Sequence, residues 1–333
     1  MDIYKTLKCL TEKNTREARE YIKNYITPLL DEVYESSDGS VIGVKKGKEN
    51  GKKIMLDAHI DEICLMVSEI DKNGFLKFSA VGGISEKCLP GAEVTVFGKE
   101  KIKGVIGSVP PHLQKGTDKK SFKSEDMLID IGMGKKDAEK CVKIGDYAKI
   151  NGKFLKLSDD FYSSSALDNR AGVLSSLMVI ESLKDVALED SLYFVFSSGE
   201  EYDMSGAALA AEKIKPDMAF VVDVTFGVSY NVSDYSFELG RGPSCSVGPN
   251  ISKELYKKIE ESAKENGITI FPEVSGGSSG TNAWAIQVSG TGVRCAVLSI
   301  PLRYMHTNVE TVNINDIKSV AILLEDVIKK EGK

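Results

Sequence analysis

No uninterrupted apolar stretch in this chain approaches the length of a membrane-spanning helix, and lysines interrupt the opening residues Met1–Leu10 where a secretory signal would need an apolar run. Neither a leader nor a membrane partner is therefore predicted, and a cytoplasmic protein is expected. Cysteine is sparse and scattered. Cys9, Cys64, Cys88, Cys141, Cys245 and Cys295 include no CxxC pair, so neither a thiolate zinc site nor a disulfide framework is suggested, and all six are read as buried thiols. An excess of positive charge is also missing. The formal net charge of -6 argues against a broad nucleic-acid surface, which needs lysine and arginine to meet phosphates. Small molecules or peptides are the expected partners. Histidine is rarer still, with only His59, His112 and His306.

What is present suits a folded chain with a large core. The sequence has 333 residues, 42% hydrophobic and 28% charged, close to the average for globular proteins. Asn14 and Thr15 offer a helix cap, and Ala18, Tyr21, Ile22, Tyr25 and Ile26 recur at helical spacing, which predicts a short helix before Asn14 and a longer one after it. Short β-type runs follow at Ser40–Lys45 and Lys53–Asp57. From about Val67 to Lys156 helical periodicity is largely missing, and short apolar runs alternate with Gly, Pro, Asp and Lys, the pattern of a small β-barrel or sandwich. After Ser163 helix and strand alternate again, from Asp168–Leu183 and Ser191–Phe196 to the closing helix Asn315–Lys330. Such alternation predicts an α/β fold with a mainly parallel sheet sandwiched by helices. The expected architecture is a catalytic domain of residues 1–66 and 157–333, interrupted by a β-rich insertion of residues 67–156.

In open α/β sheets ligands bind beyond the carboxyl ends of the strands. Here Lys53–Asp57 runs into His59 and Asp61, Ser191–Phe196 into Glu200 and Glu201, Ala219–Val222 into Asp223, and Val293–Ile300 into the loop bearing His306. Asp168 joins them from the start of a helix. Two of three histidines at such positions, beside three carboxylates, point to metal ligation rather than to packing. Residues two apart on an extended segment point the same way, so Asp61 is placed to accept from the His59 ring nitrogen turned away from a metal. The adjacent pair Glu200-Glu201 is best explained by division of labour, one carboxylate binding metal and the other acting as general base. Mixed imidazole and carboxylate donors suit Zn²⁺, Co²⁺ or Mn²⁺. Two dications are balanced by Asp168, Glu201, Asp223 and one hydroxide, which leaves Glu200 to move protons. His112, in the insertion, is either a packed loop residue or a substrate contact. The Gly-rich stretch Ser275–Asn282 has neither Walker nor Rossmann spacing; it is either an ordinary loop or, through Gly277 and Thr281, a wall for bound peptide.

Over its full length the chain resembles the co-catalytic metallopeptidases that include tetrahedral aminopeptidases, glutamyl aminopeptidase and endoglucanase M-like proteins. The resemblance rests on Asp57-Ala58-His59-Ile60-Asp61-Glu62, Gly107-Ser108-Val109-Pro110-Pro111-His112, Ala166-Leu167-Asp168-Asn169-Arg170, Glu200-Glu201, Asp223 and Ile300-Pro301-Leu302-Arg303-Tyr304-Met305-His306, in that order. It implies that Asp168 bridges two metals, that His59 and Asp223 complete one site and Glu201 and His306 the other, and that Glu200 is the catalytic base. It also implies a homo-oligomer, up to a dodecamer, in which the insertion serves assembly. The chain departs from the family pattern at Cys64, where a Gly is usual, in the run Tyr202-Asp203-Met204-Ser205 after Glu201, and at Asn282 in place of a common Asp. No ligand is lost, so these changes bear on substrate preference and metal affinity. Two alternatives remain at this stage. A glycoside hydrolase, suggested by the endoglucanase label, would need neither metal nor histidine. A catalytically retired binding or assembly protein would need no metal at all.

Overall fold

Strands buried on both faces read as nearly continuous apolar runs, and four segments of this chain have such a run at their centre. Lys53–Asp57, Ser191–Phe196, Met218–Phe226 and Arg294–Arg303 are buried along most of their length. In the computed structural model, which describes residues 1–107, 126–230 and 235–331, they lie side by side and parallel at the centre of an 11-stranded sheet. The sequence predicts a mainly parallel sheet; the parallel arrangement occupies this centre, and antiparallel strands extend it at both edges. Successive residues of a strand point to opposite faces. Ile54 and Leu56 therefore join Phe194, Phe220 and Leu298 in the larger core, while Met55 joins Val195, Val221 and Val297 in the smaller one. Truncating a ring such as Phe194 to alanine would cost about 3–5 kcal/mol.

The helices that cover these faces carry their own start signals. Asn14 caps Thr15–Ile26 through a reciprocal box, its Oδ1 accepting from Glu17 N–H at 2.9 Å while Glu17 Oε2 accepts from Asn14 N–H at 3.3 Å. The helix Leu167–Leu183 is buried along nearly its whole length. Its first residues correct the expectation that Asp168 begins a helix. Asp168 (ψ 107°) and Asn169 (φ -115°) are not helical, and Asn169 Oδ1 accepts from Gly172 N–H at 3.0 Å, so continuous helix starts after Asn169.

The chain divides into two units. One comprises Met1–Asp61, Phe154–Met305 and the chain from Glu310 onward; the other comprises Glu62–Lys153 with His306–Val309. The second unit holds a closed antiparallel barrel of six strands, Cys64–Ile70, Leu76–Val81, Glu93–Phe97, Lys101–Gly107, Leu128–Asp130 and Tyr147–Ile150. Strict alternation of burial along Lys101–Gly107 turns Ile102 and Ile106 inward, where they pack with Leu65, Val94 and Ile129. Asp71 makes the first hairpin by accepting from the N–H groups of Asn73 and Phe75 at 2.7 and 2.9 Å. A helix, Lys135–Cys141, went unread in the sequence because it is short and buries only Ala138.

Candidate metal centre

The larger unit builds its polar cluster where the central strands end. Past Asp57 the backbone keeps pairing with the neighbouring strand, Ala58 N–H donating to Val195 O and Ile60 N–H to Ser197 O. That extension carries His59 into a site where it is 1% exposed. Its Nε2 lies 3.1 Å from Asp168 Oδ1, 3.7 Å from Asp223 Oδ1 and 3.8 Å from Glu200 Oε2. Donor atoms of His59, Asp168 and Asp223 all fall within 4.8 Å of one another, and the same holds for Asp168 with Glu201. Asp61 stands 3.4 Å from His59 Nδ1 but out of hydrogen-bond alignment. It accepts instead from the N–H groups of Glu200 and Glu201, at 3.3 and 3.1 Å, and so ties the His59 segment to the end of the adjacent strand.

Several supports had no local signal in the sequence. Glu310, buried on the strand Glu310–Asn313, accepts from Asp168 N–H at 3.1 Å. Asn169 Nδ2 donates to Val222 O at 2.8 Å and fastens the Asp168 loop to the strand that ends in Asp223. Asn282 Nδ2 donates to both Asp57 Oδ2 (2.8 Å) and Ser197 Oγ (2.9 Å), bracing two strand ends from below. A charged residue inside a buried strand is the one clue that could have raised Glu310.

His306 belongs to the second unit, half-buried, with Nδ1 2.8 Å from Gly83 O. Gly277 is exposed with open space around it, whereas Thr281 is buried at the turn that opens the short helix Ala283–Ile286. His112 lies outside the described residues.

Electrostatics describe a cluster short of positive charge. Burial alone would pull the His59 imidazole down, but the neighbouring carboxylates of Asp168, Asp223 and Asp61 and the charge of Glu200 outweigh it and hold its pKa well above the usual value. Burial pushes Glu200 up to about 8, with the charges of Asp223, Asp168 and Asp61 adding to it and His59 opposing. Burial also raises Asp57 to about 7 and lifts Asp223, each aided by a neighbouring carboxylate. For Asp61 burial is outweighed by His59 and by the two backbone donors, so its pKa is lowered. A single imidazolium facing this many buried carboxylates leaves negative charge that a divalent cation would compensate. An imidazole with carboxylate oxygens is the donor set of a transition metal rather than of Ca²⁺ or Mg²⁺, so the residues fit a metal ion.

Comparison with known proteins shows what the chain is similar to. The profile of the M42 glutamyl aminopeptidase family matches residues 39–323. The lysyl aminopeptidase of Pyrococcus furiosus is 31% identical over 318 residues, covering 94% of this chain and 91% of that one. The TET aminopeptidase of Thaumarchaeota archaeon SCGC AB-539-E09 superposes with a TM-score of 0.93 at 28% identity, over 99% of this chain and 97% of that one. The TET1 peptidase of Pyrococcus horikoshii, which can assemble into a tetrahedron or a large octahedral shell, has a TM-score of 0.87 at 32% identity, over 98% and 99%. Among the described residues no helix is long and apolar enough to cross a membrane.

Proposed function

The chain belongs to the M42 glutamyl aminopeptidase family, and from that premise we propose that it removes N-terminal residues from peptides using two divalent ions held by five side chains. In this reading His59 and Asp223 would hold one ion and Glu201 and His306 the other, with the Asp168 carboxylate shared between them. The observation that carries the reading is the ring of carboxylates around His59 Nε2, three of them within 3.8 Å in a buried setting. The ions, zinc, cobalt or manganese, supply Lewis acidity toward the scissile carbonyl and toward water when bound.

The chain's own groups do the rest. Glu200 is the general base, and its backbone N–H donates to Asp61, which keeps the segment that carries it at the cluster. It takes a proton from water, the hydroxide adds to the carbonyl carbon of the first peptide bond, and the C–N bond breaks as Glu200 returns that proton to the leaving amine nitrogen. Burial raises the Glu200 carboxyl in the metal-free cluster, and cations bound beside it would favour the ionised form that accepts the proton from water. Asp61 acts behind it, holding the N–H groups of Glu200 and Glu201. A free substrate α-amine would sit against a metal or a nearby carboxylate, which would explain exopeptidase action on unblocked N-termini. The tetrahedral assembly of the Pyrococcus horikoshii relative supports a homo-oligomer here as well, up to a dodecamer, with the barrel as the contact domain.

The test is a panel of aminoacyl chromogenic substrates and a β-1,4-glucan, run before chelation, after it, and after addition of Zn²⁺, Co²⁺ or Mn²⁺. Aminoacyl hydrolysis should vanish on chelation and return with metal. Glu200→Gln should keep its metal yet lose about 10³-fold in kcat. Undiminished turnover in that variant rejects Glu200 as base, and glucan cleavage that survives chelation replaces the peptidase reading with a glycosidase.

A further inference from the structure

His306 is held by a segment of the second unit that none of the roles above uses. The residue takes a left-handed backbone conformation, φ 61°, as does Tyr304 two positions earlier at φ 59°. A side chain-bearing residue persists there only when its surroundings over-determine it. The loop Gly82–Ser85 provides that restraint twice: Ser85 N–H donates to His306 O at 3.2 Å, and Gly83 O lies 2.8 Å from His306 Nδ1. A proton on Nδ1 satisfies that carbonyl and leaves Nε2 as the nitrogen with the lone pair.

Gly83 also approaches the ring through what it lacks. A Cβ at this position would stand 2.8 Å from His306 Nδ1 and 3.1 Å from Cε1, and these two ring atoms are all it would meet within 4 Å. Gly82 needs its φ of 83°, but Gly83 is not among the glycines of positive φ. An alanine can therefore adopt the backbone at 83, so what keeps a side chain out is the imidazole and not the turn.

We infer that Gly83 is a positioning residue for His306: its carbonyl selects the tautomer that presents Nε2, and its missing side chain sets where the ring stands. The inference rests on the reading of His306 as a metal ligand. Gly83→Ala should push the ring by a few tenths of an ångström while leaving the loop and the barrel intact.

The experiment uses the full chain, chelated and then titrated with Zn²⁺ by calorimetry, with bound metal counted per chain. Wild type should take two ions. Gly83→Ala should keep one at wild-type affinity and bind the other about 10–100-fold more weakly, as expected when an outer partner of a ligand is disturbed. Gly83→Val should weaken it further, with the metal-free melting temperature of both variants unchanged. Wild-type affinity for both ions in Gly83→Ala overturns the inference, and so does a metal-free melting temperature that falls in step with affinity, since that assigns Gly83 to the fold. His306→Ala is titrated alongside. If it still binds two ions as wild type does, the ligand assignment itself fails; if it loses one while Gly83→Ala does not, only the role of Gly83 fails.

Discussion

In the proposed metal centre His59 and His306 would serve the same purpose, a ring nitrogen held in one place, and the chain holds them by different physics. His59 stands at the end of a strand whose ladder continues past it, is 1% exposed, and is fixed by carboxylates from two other segments. His306 is half-buried on a loop in a left-handed conformation, restrained by two backbone groups of Gly83 and Ser85. The first is placed by regular structure and buried charge, the second by local geometry. The difference teaches that a ligand near the core is coupled to folding, whereas a ligand on a loop can be lost without the fold noticing.

The largest effect expected from this contrast is in the metal-free protein. His59→Ala removes the cation facing Asp168, Asp223 and Glu200 and should cost about 3 kcal/mol, several degrees of melting temperature. His306→Ala should leave the chelated melting temperature within about one degree, by the usual tolerance of surface positions. Equal losses in thermal melts of the two variants would break the comparison.

A second expectation concerns pH. The folded-state pKa values of Glu200 and Asp57, about 8 and about 7, lie above their ordinary values of 4.5 and 3.8. Acids raised in this way favour the folded state below the unfolded pKa, and that stability is lost as pH climbs toward the folded pKa. Chelated protein should thus melt progressively lower from about pH 4.5 to about pH 8. Glu200→Gln should flatten the slope and Gly83→Ala should not; a slope unchanged in Glu200→Gln would remove Glu200 as its source.

A smaller effect belongs to the brace beneath His59. Asn282→Ala gives up the bonds to Asp57 and Ser197 and should cost about 1–2 kcal/mol in denaturant unfolding. A variant as stable as wild type would mean the strand ends need no brace. The smallest lies on the barrel, where Lys77→Ala removes an exposed pair with Glu69 and should change stability by less than about 1 kcal/mol, with metal content untouched.

Legibility followed the range of the interactions. The capping box at Asn14 and Glu17 spans three residues and could be read directly, as could the buried central strands, whose apolar runs have no other use. The barrel was visible as a change of period. The short helix Lys135–Cys141 was hidden because one buried residue makes no period. At the site, His59, Glu200, Glu201 and Asp223 stood out because each follows a strand. The bonds of Asn282 to Asp57 and of Glu310 to Asp168 join residues 225 and 142 positions apart, and no local pattern encodes such a partner.

By itself, then, the sequence determined the element types and the side chains available at the strand ends, because hydrophobic period and strand-end position are local properties. Only the tertiary structure decided that Asp61 serves the N–H groups of Glu200 and Glu201, that Asn169 fastens the Asp168 loop to Val222, and that Gly83 stands against His306. Those contacts depend on hydrogen-bond alignment and on distances of an ångström or less, which are settled when distant segments pack together.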